Sequence, residues 1–158
     1  MKIAALDLGS NTFLCLICEV QDSESKTGEI SKIHYDGVQI VRLGQDLTKN
    51  RKFHPDALER AEKCLKFFSE EIAKHKPDVV LAMATSAARD AENKEDLFSI
   101  ALKYQIPLEI IPGEKEAQIT YSGATSGFAG EHTQLVIDVG GGSTEFILGK
   151  GPQLVDGE

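Results

Sequence analysis

The order of hydrophobic and polar positions along the chain predicts strands first and then alternating helices and strands. Short apolar runs over 3–7 and 13–20 flank a turn cluster at 9–12, which predicts a β-hairpin. A looser alternation over 29–43 predicts a third strand, either long or interrupted near 36–37. The chain is therefore expected to begin with antiparallel strands.

The clearest predicted helix spans 55–76, because its apolar residues recur at three- and four-residue spacing. Pro55 suits the first helical position, and Pro77 ends the segment. The apolar run over 78–84 then predicts a parallel strand that is covered on both faces. Favourable i,i+4 charge pairs are predicted on the polar side of the helix: Glu59 with Lys63, Glu62 with Lys66, and Glu70 with Lys74.

The second half of the chain continues the alternation of helices and strands. Helices are predicted over 94–104 and 114–125, with a strand over 107–111 between them. Two further strands, over 135–138 and 145–148, flank a glycine-rich turn, and the residues that follow form a polar tail. The pattern as a whole predicts an α/β fold.

Two segments of the chain, 7–12 and 138–144, repeat one arrangement: an aspartate that ends an apolar strand, then a glycine-containing turn with hydroxyl side chains. Glycine turns let backbone N–H groups converge on a phosphate without a side chain in the way. The aspartate can hold a divalent cation that bridges to that phosphate. Both segments can also be plain hairpin turns, but the repetition favours a phosphate site. A nucleotide P-loop is excluded, because the chain has no G-x-x-x-x-G-K-[ST] motif.

Arg89 follows the most apolar predicted strand, at the carboxyl end where open α/β sheets bind ligands. Its guanidinium group can donate hydrogen bonds to a phosphate oxygen. It can equally pair with Asp90 or Glu92 at the surface of the protein. The residue types alone leave these two interpretations open.

Glu114 and Glu116 open the predicted helix after Gly113. Acidic side chains in a first turn offset the helix dipole, and residue chemistry alone favours that structural role. The functional alternative makes one carboxylate a general base toward a water molecule. Glu145 is likewise either an acid near a metal ion or a solvent-facing strand residue.

Composition narrows the classes of protein that fit the chain. It has 158 residues, 41% of them hydrophobic, which suits an ordinary domain with a real core. No apolar run reaches the length of about 18 residues that a membrane span needs. The formal net charge of -8 argues against general binding to nucleic acid or to a membrane surface. With 3 cysteines a disulfide scaffold is not expected, which favours a reducing cytoplasm.

Cys15 and Cys18 have the C-x-x-C spacing of redox and zinc motifs. On a strand, however, positions i and i+3 point to opposite sides, with Cα atoms about 10 Å apart, which is too far for a disulfide. We therefore predict that both are buried structural residues, and that Cys64 belongs to the core side of the long helix.

Four segments of the chain, taken together and in order, resemble motifs of the exopolyphosphatase/guanosine pentaphosphate phosphohydrolase family. Residues 4–13 resemble the first phosphate motif of that family, and 84–91 resemble the motif that follows it. Residues 110–117 resemble its catalytic-glutamate segment, and 136–145 its second phosphate motif. The resemblance implies a ribonuclease-H-like lobe of the actin/Hsp70/sugar-kinase superfamily, with a mixed sheet and flanking helices. It also implies hydrolysis of a terminal phosphate from polyphosphate or guanosine pentaphosphate.

The resemblance implies roles for individual residues. Glu116 is similar to the base that activates water. Asp7, Asp138 and Glu145 match positions around a divalent metal ion, expected to be Mg²⁺ or another divalent cation. The implied phosphate cradle comprises Gly9, Ser10, Asn11, Thr12, Arg89, Gly140, Gly141, Gly142, Ser143 and Thr144.

Members of the family run to roughly 300 residues, about two domains by size. The chain is therefore expected to be the N-terminal portion of a longer protein, weakly active or inactive by itself, and a homodimer is expected at full length. We predict a first lobe over 1–127, then a connector and the first hairpin of an incomplete second lobe over 128–158. The hairpin at 134–149 is expected to pack on the first lobe, to pair with another copy, or to be poorly ordered.

Two alternatives to a phosphatase stay open. A kinase of the same superfamily uses the same turns for ATP, but it leaves the glutamate segment without a role. A non-catalytic module that senses guanosine penta- or tetraphosphate keeps the turns and needs no base. Exchange of Glu116 for Gln separates the enzyme from the sensor, because only the enzyme loses a function.

Overall fold

The computed structural model describes residues 1–21, 29–128, 132–151 and 153–157. Its strands are β1 (Lys2–Leu8), β2 (Thr12–Gln21), β3 (Glu29–Ile40), β4 (Val79–Ala84), β5 (Leu108–Ile110), β6 (Thr133–Val139), β7 (Thr144–Lys150) and β8 (Gln153–Gly157). Its helices are α1 (Leu47–Asn50), α2 (Pro55–His75), α3 (Ser86–Asp90), α4 (Lys94–Lys103) and α5 (Gly113–Thr125). None of the helices in these ranges is long and apolar enough to cross a membrane.

Five of the strands form a mixed sheet in the order β3-β2-β1-β4-β5. Strands β1 and β2 form the predicted antiparallel hairpin, while β4 pairs in parallel with both β1 and β5. Helices α2 and α4 pack on one side of this sheet and enclose the main core with it, which is the α/β arrangement that the hydrophobic pattern predicts. The core includes Ala4, Leu6, Leu8, Phe13, Cys15, Ile17, Leu65, Phe68, Leu97 and Ala101.

The opposite face of the five-stranded sheet carries exposed apolar side chains. Leu14, Val79 and Leu81 are 39%, 38% and 44% exposed. The prediction that β4 is covered on both faces is therefore wrong within the described residues. A continuous apolar run shows how hydrophobic the positions of a strand are, but it does not show whether a second layer lies on them.

Helix α2 begins and ends where the periodicity predicts, but its charged side chains find different partners. Only one of the predicted i,i+4 pairs forms. Glu62 pairs instead with a lysine of α4, and Lys74 pairs with a carboxylate at i,i+3 spacing. In an isolated helix a charged side chain can pair only with residues of the same helix, whereas in a packed helix it can also pair with residues of the neighbouring helix. The observed salt bridges are Glu59 with Lys63, Glu62 with Lys103, and Lys74 with Glu71.

The last part of the chain forms a second sheet, in the order β6-β7-β8. The predicted hairpin over 134–149 is present as β6 and β7. No strand was predicted in the polar tail, but Gln153–Gly157 pairs with β7 as a third antiparallel strand. Hydrogen bonding along the open edge of β7 supplies an ordering force that a polar composition does not reveal.

Helix α5 packs against the second sheet and forms a small separate core with it. Tyr121 is buried beside Val136 and Ile147. Its hydroxyl group donates a hydrogen bond to the Gly151 carbonyl at 3.0 Å, and a side chain at Gly149 would overlap its ring. Of the three outcomes expected for the hairpin, packing on the rest of the chain is therefore the one observed. The boundary after residue 127 stays a prediction.

All three cysteines are buried and carry free thiols, as predicted. Cys18 lies inside together with Ile17, because the pairing of β2 with β3 shifts register between these two residues and interrupts the alternation. Burial raises the pKa of Cys15 to about 11 and that of Cys64 to about 12. These groups stay protonated at neutral pH and are unreactive.

Candidate functional site

The two glycine-containing turns singled out by the internal repeat have the same hydrogen-bonded form. In the first turn, the Gly9 N–H donates to the Thr12 carbonyl at 3.1 Å. In the second, the Gly140 N–H donates to the Ser143 carbonyl at 2.9 Å. Each turn joins two antiparallel strands, and the turns belong to different sheets. The repeat in the sequence is therefore a repeat in structure.

These two turns lie in contact, and the contact depends on glycine. A Cβ atom added to Gly141 would lie 2.6 Å from the Cβ of Asn11 and 3.0 Å from its backbone nitrogen. A Cβ atom added to Gly142 would lie 2.8 Å from the hydroxyl oxygens of Ser10 and Ser86. Side chains at these positions would push the turns apart, so glycine is required by close approach rather than by backbone angle.

A cleft opens where the two turns meet, and we call it the acidic cleft. It brings together most of the residues that the sequence predicts as site residues, from segments more than a hundred positions apart. Arg89 and Thr144 are not among its lining residues. The lining comprises Asp7, Gly9, Ser10, Asn11, Thr12, Leu14, Thr85, Ser86, Glu116, Asp138, Val139, Gly140, Gly141, Gly142, Ser143 and Glu145.

Carboxylates dominate the charge of the acidic cleft. Asp7 and Asp138 each occupy the second-to-last position of a strand, and Glu145 is the direct cross-strand neighbour of Asp138. The pKa of Asp7 is raised from 3.8 to about 6, first by its partial removal from water and then by repulsion from Glu116 and Asp138. The cleft therefore holds negative charge that its own side chains do not neutralise.

The predicted metal residues line one cleft without forming a coordination cluster among themselves. Within the described residues, no group of three or more His, Cys, Asp or Glu side chains is placed to hold a metal ion. Mg²⁺ usually keeps several waters and binds through one or two carboxylates together with substrate phosphates. Oxygen donors and uncompensated negative charge therefore fit a hydrated Mg²⁺ ion.

Glu116 is turned inward and is held by Arg89. The Arg89 Nη1 atom donates to Glu116 Oε2 at 2.7 Å and to the Ile111 carbonyl at 3.0 Å. The Glu116 side chain is only 17% exposed. The surface pairing of Arg89 with Asp90 or Glu92 is wrong, because Arg89 pairs with Glu116 and Glu92 pairs with Arg51 at 3.1 Å. An inward carboxylate bound to an arginine has a defined orientation that a residue serving only the helix dipole does not need.

The loop after β3 supports the first turn from outside the cleft, a feature that sequence analysis missed. The Val41 and Arg42 N–H groups both donate to the Asn11 carbonyl, at 2.9 and 2.8 Å. Arg60 of α2 in turn donates from Nε to the Val41 carbonyl at 2.6 Å and from Nη2 to Gln45 Oε1 at 2.8 Å. The local sequence does not predict these contacts, because they join segments that are distant along the chain.

Leu14 also lines the acidic cleft, and this position could have been predicted from the internal repeat. It lies directly opposite Asp7 in the β1–β2 pairing, as Glu145 lies opposite Asp138 in the β6–β7 pairing. The same position of the repeat therefore carries an apolar residue in the first turn and an acid in the second. Thr144 starts β7 and is exposed.

Two facing glycine turns on a mixed α/β lobe, above a cleft of carboxylates, are typical of a protein that binds phosphate through a metal ion. The chain belongs to the Ppx/GppA phosphatase family, whose sequence pattern matches residues 22–157. It is 39% identical over 152 residues to the bifunctional 3-dehydroquinate synthase/phosphatase of Fusobacterium nucleatum, covering 92% of this chain and 23% of that protein.

Exopolyphosphatases are among the proteins that the chain resembles. It is 36% identical over 157 residues to exopolyphosphatase 2 of Mycobacterium tuberculosis, covering 94% of this chain and 48% of that protein. The crystal structure of an exopolyphosphatase from Cytophaga hutchinsonii superposes with a TM-score of 0.88 at 29% identity, covering 100% of this chain and 49% of that one. The fold class that the sequence motifs imply is confirmed. The chain spans about half the length of these exopolyphosphatases.

Replacement of Asp7 by Asn is expected to raise the melting temperature of the metal-free protein at pH 8 by about 2–4 °C. The folded-state pKa of Asp7, about 6, lies above its ordinary value of 3.8, so the ionised carboxylate destabilises the folded state. This destabilisation is complete above about pH 6 and absent below about pH 4, and the advantage of the variant should follow it. Calorimetric melting in EDTA across this range is the measurement.

The matched control for this prediction is Asp36→Asn, at an exposed position of β3 outside the acidic cleft. An equal rise in melting temperature for the control would show that the effect comes from the change in overall charge. A gain in Asp7→Asn that persists at pH 4 would show that ionisation of Asp7 is not its cause.

Proposed function

We propose that the protein containing this chain hydrolyses a terminal phosphoanhydride phosphate of inorganic polyphosphate, with guanosine pentaphosphate as a further substrate. The observation that carries this proposal is the inward Glu116 carboxylate, held 2.7 Å from Arg89 beside two facing glycine turns. The family and the exopolyphosphatases that the chain resembles support the choice of a phosphoanhydride. A phosphate cradle next to an oriented base is what such a reaction requires.

The two turns act on the reacting phosphate. Residues 9–12 and 140–143 line the acidic cleft. Their hydroxyl groups, and backbone N–H groups other than those of Gly9 and Gly140, which close the turns, can donate to the oxygens of the transferred phosphoryl group. Because the turns are fixed by their own hydrogen bonds, these donors need no reorganisation as charge shifts during the reaction. Glycine at 141 and 142 lets the two turns lie close enough together to act on one phosphate.

Glu116 acts on the attacking water. Its carboxylate takes a proton from a water molecule, and the water oxygen forms a bond to the terminal phosphorus. The bond from that phosphorus to the bridging oxygen breaks, and the leaving phosphate chain keeps the electron pair. Asp7, Asp138 and Glu145 would hold Mg²⁺, directly or through water. When bound, the ion supplies positive charge that offsets the phosphate oxygens and the carboxylates.

We propose that residues 128–158 begin a second lobe that completes the cleft in the whole protein. The face of the second sheet turned away from α5 carries Leu135, Ile137 and Phe146, which are 56%, 53% and 55% exposed. An apolar face of this kind normally lies against a further layer. The chain alone is therefore expected to be weakly active, and we retain a homodimer as the expected state of the whole protein.

Phosphate release from polyphosphate and from guanosine pentaphosphate tests the proposed function. The chain is assayed with Mg²⁺ and with EDTA, beside a version extended to the length of its relatives. Release by the extended protein with Mg²⁺, and much less in EDTA, is the expected result. Nucleotide binding without release would favour the sensor, and phosphoryl transfer from ATP to an acceptor would favour the kinase.

A further inference from the structure

A second pocket shares a wall with the acidic cleft. Ser10, Ser86, Gly141 and Gly142 line both pockets. The hydroxyl groups of Ser10 and Ser86 flank Gly142 closely enough that a Cβ atom there would lie 2.8 Å from each. The contact between the two turns thus separates the pockets, and hydroxyl donors stand at the boundary between them.

The two pockets differ in charge. The acidic cleft has four carboxylates and, among the described residues that line it, no lysine or arginine. The second pocket, which we call the arginine pocket, is lined by Arg51 and Arg89, with Thr48 and the single carboxylate of Asp90. A phosphate group is repelled by the bare acidic cleft and attracted by the arginine pocket. Guanidinium groups are suited to phosphate because their N–H donors match its oxygens in pairs.

The backbone of Arg51 is held in place at the rim of this pocket. It has a φ of 54° and ends α1, with its N–H donating to the Leu47 carbonyl at 2.7 Å. Its own carbonyl accepts from the Glu92 N–H at 2.8 Å. The Arg51 side chain is 74% exposed, and its pair with Glu92 is a surface pair that contributes little. A ligand with more negative charge than one carboxylate can therefore compete for this guanidinium.

Arg89 connects the arginine pocket with the reacting centre. Its Nη1 atom is used by Glu116 and by the Ile111 carbonyl. A guanidinium carries five N–H donors, so the remaining nitrogens can serve a ligand in the arginine pocket. The same side chain can in this way orient the proposed base and contact a phosphate on the other side of the wall.

We propose that the arginine pocket is a second phosphate subsite, adjacent to the reacting phosphate and formed chiefly by Arg51 and Arg89 with the hydroxyls of Thr48 and Ser86. The proposal rests on the proposed function for the identity of the reacting phosphate. Its occupant is a phosphate group, either in the chain of the substrate next to the scissile bond or as released inorganic phosphate. The subsite supplies positive charge beside the acidic cleft, which itself has none. This arrangement favours a polyanion over a substrate with a single phosphate.

The test is binding of two probes, tripolyphosphate and inorganic phosphate, to the chain as it stands. Calorimetric titrations in EDTA remove metal ions, so that positive charge comes from the arginines. The variant is Arg51→Asn, because asparagine tolerates the positive φ at this position. The matched control is Lys52→Asn, which removes the same charge from the exposed neighbouring residue. Thr48→Val, on α1, is a second variant of the pocket, and unchanged melting temperatures show that each protein is folded.

Arg51→Asn is expected to weaken tripolyphosphate binding about tenfold, and Lys52→Asn to change it by less than about twofold. If inorganic phosphate binding is unaffected, the occupant is a phosphate of the substrate chain, and an equal loss for both probes assigns the pocket to released phosphate. Equal effects of the two variants, or none from Arg51→Asn and Thr48→Val, overturn the proposal. Because these measurements involve no turnover, failure of phosphate release in the extended protein would reject the proposed function and leave this result standing.

Discussion

Exchange of Glu116 for Gln is expected to slow phosphate release by about 10²–10⁴-fold and to leave substrate binding nearly unchanged. Glutamine has the shape of glutamate and still offers an oxygen to Arg89, which now donates to Glu116 Oε2 at 2.7 Å. It cannot accept the proton of the attacking water. The loss should therefore fall on kcat and not on KM, because the missing interaction exists only in the transition state.

The matched control for Glu116→Gln is Glu114→Gln, two residues earlier in the first turn of the same helix. Both variants remove one negative charge from the N-terminus of α5, so a helix-dipole effect would be similar in both. Glu114 is exposed, and it is not among the residues that line the acidic cleft. Equal rates for the two variants in the extended protein would show that Glu116 is not the base.

Exchange of Gly141 for Ala is expected to lower phosphate release on the order of 10²-fold. The added Cβ atom would lie 2.6 Å from the Cβ of Asn11 and 3.0 Å from its backbone nitrogen. The nitrogen belongs to a turn that the Val41 and Arg42 N–H groups also hold, so it cannot move freely. The two turns must then separate, and the donors that they aim at one phosphate lose their common geometry.

Gly123→Ala is the matched control for this glycine, because it makes the same chemical change at a position of α5 where the added Cβ has no neighbour within 4 Å. Alanine is the better helix former, so the control should keep full phosphate release and gain slightly in stability. Phosphate release and melting temperature are measured for both variants. Full release by Gly141→Ala would mean that contact between the turns is not needed.

Local periodicity was sufficient to predict most of the elements. Helix α2 and the two hairpins form close to the predicted positions, because each depends on spacing, proline or turn residues within one short segment. The exceptions are informative. The open face of β4 and the added strand β8 both depend on which other segment lies beside them, and hydrophobic periodicity has no information on that.

The part of the candidate site that consists of repeated local patterns could be predicted from the sequence. The two aspartate–glycine turns share one sequence pattern, which marks both of them, and the structure brings them into contact through Gly141 and Asn11. Residue chemistry alone left two alternatives open: a surface ion pair for Arg89, and a role in offsetting the helix dipole for Glu116. These two residues are 27 positions apart, and only the tertiary structure brings the side chain of Arg89, on α3, to that of Glu116, on α5.

The sequence by itself determined the strands, the long helix and the glycine turns of this protein, because these follow from interactions between residues that are close along the chain. It also carried the four motifs that identify the family. The tertiary structure alone decided that Arg89 holds Glu116 and that Arg60 holds the loop behind the first turn. It also decided that four carboxylates line one pocket while two arginines line the next. Contacts of this kind form between distant segments only when the sheets and helices pack together, so their chemistry has no local signature in the sequence.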